Sequence, residues 1–166
     1  MDISMVKFAF NKVILLFLCC LQITHSQDFN KYHTERLTIA DGLLDNTIRQ
    51  IAQDSLGFIW MGHVGLQKYD GTGFIDYLHD PDDDRCIRSN SINEIFVDSK
   101  KRLWTSVNGG IDQYIYTMDH FKHYYYTDQK GDTIPYNVFS ISEDTSGNLY
   151  TGLNFAEGDD ILTLFT

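Results

Sequence analysis

The chain says nearly the same thing three times. Residues 46–60 read NTIRQIAQDSLGFIW and residues 90–104 read NSINEIFVDSKKRLW. Asn46 and Asn90, Ile48 and Ile92, Ile51 and Ile95, Asp54 and Asp98, and Trp60 and Trp104 all stand 44 residues apart. YNVFSISEDTSGNLY at 136–150 continues the series 46 residues on, with Val138, Ile141, Asp144, Leu149 and Tyr150 in register. A repeat of this length is a supersecondary unit that cannot bury its own apolar face and must stack on copies of itself.

Within each copy the apolar residues alternate first, as in Ile92, Ile95 and Val97. A turn follows (Asp54-Ser55-Leu56-Gly57, Asp98-Ser99-Lys100-Lys101), then a short aromatic run ending at Trp60-Met61 or Trp104-Thr105. Two further short runs come after glycine-rich turns: 66–69 and 74–78 in the first copy, 111–114 and 120–124 in the second, the last expected as a strand over 120–126. Turn signals at this spacing, with no sustained 3.6-residue periodicity, predict a four-stranded antiparallel meander. Four strands per repeat of this size is the dimension of a β-propeller blade. The expected fold is therefore all-β: about three four-stranded antiparallel blades in an incomplete ring, after a signal peptide. The segments are a leader at 1–26, a lead-in strand within 27–45, blade 1 at 46–89, blade 2 at 90–135 and a partial blade 3 at 136–166. Asp54, Asp98 and Asp144 read as turn-setting residues, since an aspartate bonds its own backbone two residues on. Trp60, Trp104 and Tyr150 read as apolar plugs between neighbouring blades.

The run DSLGFIWMGHVGLQKYDG at 54–71 resembles the two-component regulator propeller repeat, whose pattern is Asp-x-x-Gly-x-aliphatic-Trp-aliphatic-Gly-Thr-x-x-Gly-Leu-x-x-Tyr-Asp. The lead-in RLTIADGLLDNTI at 36–48 and the link YLHDPDDDRCIRSNSI at 77–92 are similar to segments of the periplasmic sensors of Bacteroidetes-type hybrid two-component regulators. His63 stands where the family has Thr, Ser106 where it has Gly, and Tyr150 where it has Trp; after Gly152 the pattern dissolves. The resemblance implies a periplasmic sensor part that recognises an extracytoplasmic ligand, a small molecule or oligosaccharide such as a glycan breakdown product, for two-component signal transduction. It also implies downstream blades, a kinase and other signalling domains in a parent chain, and a possible homodimer of that parent. A stand-alone secreted interaction module and a piece of a secreted propeller enzyme such as a lyase are the alternatives.

The first 26 residues read as a cleaved leader. Lys7 and Lys12 precede the apolar run VILLFLCCL at 13–21, and Thr24 and Ser26 are small residues before a cut preceding Gln27. A run of nine is too short to span a bilayer. The expected location is periplasmic or secreted. Without the leader, 140 residues carry 22 acidic and 11 basic side chains. That balance argues against nucleic acid, which needs clustered cations. Cys86 alone remains, so no intrachain disulfide is expected. A closed propeller needs about four to eight blades, so three at most imply a piece of a longer protein or a stub that folds with partners.

No motif of nucleophilic, phosphate-binding or zinc chemistry is present, so no cofactor, metal or catalytic residue is expected, and the chain reads as no enzyme. Asp80, Asp82 and Asp84 fail as an EF-hand, because Arg85 and Ser91 occupy the Gly and Glu positions. His120 and His123 are three apart on a strand, hence on opposite faces. Tyr124-Tyr125-Tyr126 read as β-packing aromatics, with sugar stacking as the alternative. Ligand-binding candidates are taken from loops, because loops carry function on a fixed scaffold. They are His63 and Asn108 in the turns after the tryptophan strands and Arg85 in the link between blades.

Overall fold

The computed structural model describes residues 34–127, 130–134, 136–154 and 161–165. The leader and residues 27–33 of the lead-in lie outside the described residues. The β structure belongs to the unit spanning 37–166.

Three antiparallel sheets follow the repeat. The first runs β1 (Gln50–Gln53), β2 (Ile59–His63), β3 (Gly65–Tyr69), β4 (Phe74–Tyr77), each strand paired with the next. The second repeats this order with β5 (Ile92–Val97), β6 (Leu103–Val107), β7 (Gly110–Ile115) and β8 (His120–Tyr124). A two-stranded ribbon, β9 (Tyr126–Thr127) with β10 (Thr133–Ile134), precedes a third sheet of β11 (Asn137–Glu143), β12 (Leu149–Asn154) and β13 (Ile161–Phe165). These are antiparallel β-propeller blades, and the described residues contain no α-helix.

The sheets are held by alternation. Every residue of β6 is buried, because the strand has a neighbour on each face. Leu103 and Val107 join Trp60 and Leu66 of the first sheet, with Ile92, Ile95, Tyr114 and Phe121, in one core cluster. Trp104 and Ile111 instead meet Val138, Ile141 and Leu149 of the third sheet. Each tryptophan thus leaves its own sheet to pack on the following one. The first strands of the second and third sheets also share a β-bulge at equivalent positions, between Ile92 and Glu94 and between Val138 and Ser140.

Some sequence expectations differ from what is seen. Residues 34–45 hold no strand; they form a 3-10 turn at Ile39–Asp41, closed by a capping box in which Thr38 accepts from Ala40 N and Asp41 accepts from Thr38 N. The fourth strand of the second blade stops at Tyr124, because Tyr125 turns out to lie over the Arg88 guanidinium, 4.2 Å from ring centroid to Cζ. Past Gly152, where the repeat pattern fades, backbone pairing continues: β13 bonds to β12 from Leu149–Phe165 to Leu153–Ile161.

Candidate functional site

The repeated aspartate does two jobs at once. Asp54 Oδ1 accepts from the N–H groups of Leu56 and Phe58 at 2.9 and 3.0 Å, which shapes the β1–β2 turn. Its Oδ2 accepts from the Trp60 indole N–H at 2.8 Å and from the Tyr116 hydroxyl of the next sheet at 3.1 Å. Asp98 repeats the pattern, taking Arg102 N on Oδ1 and the Trp104 indole on Oδ2 at 2.9 Å. Asp144 takes Ser146 N and Asn148 N on Oδ1 and the Tyr150 hydroxyl on Oδ2 at 3.3 Å. A phenol O–H therefore replaces the indole N–H in the third copy. Each aspartate thus fixes both a turn and the ring beside it; Trp60 and Trp104 are buried plugs between sheets, whereas Tyr150 is only half-buried and belongs to neither core cluster.

The turns after the tryptophan strands are tied to the next sheet. Val64 bridges Ser91 and Asn108 bridges Asn137, both antiparallel. His63 is half-buried and faces Gly65 across the turn. The hollow shared by Leu44, Asp45 and His63 holds only about 10 Å³, space for a single water at most. The Thr47 backbone N–H lowers the Asp45 pKa, with His63 adding a smaller pull. Asn108 is exposed.

The second blade contains a charged cluster that no sequence motif announces. Asp112 is fully buried on β7. Its carboxylate accepts from Arg88 N at 2.8 Å, from Arg88 Nε at 3.3 Å, and lies 2.7 Å from His123 Nδ1. Arg88 also donates to the carbonyls of Gly109 and Tyr124, and His123 Nε2 sits 2.9 Å from the Asp84 carbonyl. The first blade repeats the arrangement with an amide in the centre: Leu44 N donates to Gln67 Oε1, and Gln67 Nε2 donates to Asp76. Laying the copies over each other position by position, Leu44 on Arg88, Gln67 on Asp112 and Asp76 on His123, is the signal that would have exposed it. The cluster ties the link between blades to β7 and β8.

A second cluster lies between the first two sheets. Lys68 is mostly buried, with Nζ about 5.4–5.5 Å from the ring centroids of Phe58, Trp60, Tyr77 and Tyr114. Asp119 accepts from the Tyr77 and Tyr114 hydroxyls at 2.7 and 2.5 Å, and these bonds hold its carboxyl below the ordinary carboxylate range. Burial, with the Asp119 bond next, pushes the Tyr114 hydroxyl up to about 12. Beside this cluster opens a cleft of about 330 Å³ between β4, the link and the β7–β8 turn. Arg85 is one of its lining residues, 71% exposed, with Nε 3.2 Å from Asp83. The three loop candidates thus do not converge: His63 and Asn108 sit on turns beside different sheets, and Arg85 lines this cleft.

Residues 42–65 match the family described as Two component regulator propeller. The chain carries the two-component regulator propeller repeat. Among solved structures it is similar to the extracellular domain of the hybrid two component system BT3049 from B. thetaiotaomicron, at 27% identity and a TM-score of 0.64, over 79% of this chain and 20% of that one. The extracellular domain of the hybrid two component system BT4673 from the same organism matches at 27% identity and a TM-score of 0.61, over 79% of this chain and 18% of that one. The chain thus spans about a fifth of the length of these relatives. No curated protein matches it. No helix among the described residues is long and apolar enough to cross a membrane.

Proposed function

We propose that this chain is part of an extracytoplasmic propeller sensor that recognises a small-molecule or oligosaccharide ligand, such as a glycan breakdown product, for two-component signal transduction. The observation that carries this reading is the likeness to extracellular domains of hybrid two-component systems, at 27% identity over 79% of the chain. The site chemistry supports recognition rather than bond-making. The buried charged groups are taken up by scaffold partners: Asp112 by Arg88 and His123, Asp54 by Trp60 and Tyr116. The parent's downstream blades and signalling domains are its partners in this reading, and the propeller acts outside the cytoplasm.

The test is a transcriptional reporter driven by the parent's own target genes, in cells grown on purified polysaccharide digests. Expected is induction by one digest, lost when residues 37–154 are deleted. Induction that survives the deletion contradicts the sensory reading.

A further inference from the structure

The cleft beside Asp119 is lined by the charged side chains of Asp76, Asp83, Arg85 and Asp119, and two of these keep atoms without a partner among the described residues. One is Arg85. Its Nε is engaged by Asp83 Oδ1, and its two terminal nitrogens have no partner among the described residues. His120 lines the cleft too, and its ring has no hydrogen bond among the described residues. The other is Asp119, whose contacts with Tyr77, Tyr114 and Lys68 all fall on Oδ1. Oδ2 is left without a partner among the described residues, on a side chain that is 64% exposed. Ile87 and Phe121, both buried, also border the cleft.

This asymmetry has a chemical reading. A guanidinium with both terminal nitrogens open matches a carboxylate in a two-pronged geometry. A carboxylate fixed by two phenols and a lysine is an acceptor whose orientation is set before any ligand arrives. At about 330 Å³ the cleft is at the small end of ligand pockets. We propose that it binds a small carboxylate-bearing molecule, with the ligand carboxylate on Arg85 and His120 and ligand hydrogen-bond donors on Asp119. The donors come either from hydroxyls, as in a hydroxy acid, or from an ammonium, as in an amino acid. Because the cleft is walled by the first blade, the link and the second blade, an occupant touches both blades. The site stands apart from the signalling reading, since binding is measured on the chain itself.

The two sources are separated by titrating the full chain with D-glucuronate and with L-glutamine at low ionic strength. Binding is followed by calorimetry and by tryptophan emission, because Trp60 lies 5.4 Å ring to ring from the cleft residue Tyr77. Expected is saturable binding of at least one probe. Arg85→Gln should weaken it by about tenfold or more through the lost charged hydrogen bonds, and His120→Gln should weaken it as well. Arg85→Gln leaves the ligand-free melting temperature unchanged, since the side chain is 71% exposed and its one ion pair among the described residues is with Asp83. Binding of glucuronate alone assigns the hydroxy acid, and binding of glutamine alone the amino acid. No binding of either probe at millimolar concentration, or equal affinities in Arg85→Gln and the unaltered chain, overturns the proposal.

Discussion

A single carboxylate carries much of each blade's order. Burial raises the cost of charging Asp98, but the Trp104 indole N–H, Arg102 N–H and the Arg102 guanidinium outweigh it and hold the pKa below its ordinary value. Asp119 is lowered too, chiefly by Tyr114 and Tyr77. A carboxylate whose folded pKa lies below its unfolded value stabilises the fold above the unfolded pKa, about 3.9, and loses that contribution as pH falls through the folded one. The melting temperature should therefore drop on acidification below about pH 4, and the drop should shrink in Asp98→Asn. Glu94 has the opposite sign: burial on β5 raises its pKa, only partly offset by the bond from Ile141 N. It binds its proton more tightly folded than unfolded, so its cost is absent at low pH and grows as pH rises through the folded value. Glu94→Gln keeps an acceptor for Ile141 and should raise the melting temperature at neutral pH, with the gain vanishing in acid. Trp60→Ala removes a fully buried indole and should cost about 3–5 kcal/mol in denaturant unfolding.

Turns show how much of an element can be read from a sequence. The β1–β2, β5–β6 and β11–β12 turns all place a residue in the left-handed region: Gly57 at φ 93°, Lys101 at 65° and Gly147 at 84°. Glycine takes that conformation freely and lysine does not. Lys101→Gly should thus stabilise the chain by up to about 1 kcal/mol, measured by denaturant unfolding; a lower midpoint contradicts the argument. The aspartates and glycines of these turns are legible because their chemistry is local. The partners of Asp54 beyond its own turn were not, since Tyr116 is 62 residues away and only the stacking of sheets brings it in. The same holds for Arg88, Asp112 and His123, which lie 24 and 11 residues apart along the chain. Tyr125 left the expected strand for a cation that sequence order places 37 positions earlier. β13 escaped notice because it pairs through the backbone, which any sequence can do, while the family pattern is carried by side chains.

At the scale of the molecule, the repeat fixes the stack of sheets, and the stack explains which copies are buried. Ile95 is 7% exposed because the first sheet covers it; its counterpart Ile51 on the first sheet is 68% exposed. Isolated chains with such faces are expected to associate through them. Ile51→Lys should therefore increase the solubility of the isolated chain without lowering its melting temperature, whereas Ile95→Lys should unfold it. The fold class was legible from spacing alone because a 44-residue period admits few solutions, whereas a ligand site is made of residues that break the period. The blades are locked to one another by tryptophans whose indole N–H groups are buried on turn aspartates. Hydrogen exchange of the two indole protons, followed by NMR, tests it directly. Both Trp60 and Trp104 protons should exchange as slowly as the amides of β6, and Asp54→Asn should speed Trp60 alone; fast exchange of either indole in the unaltered chain would contradict the account.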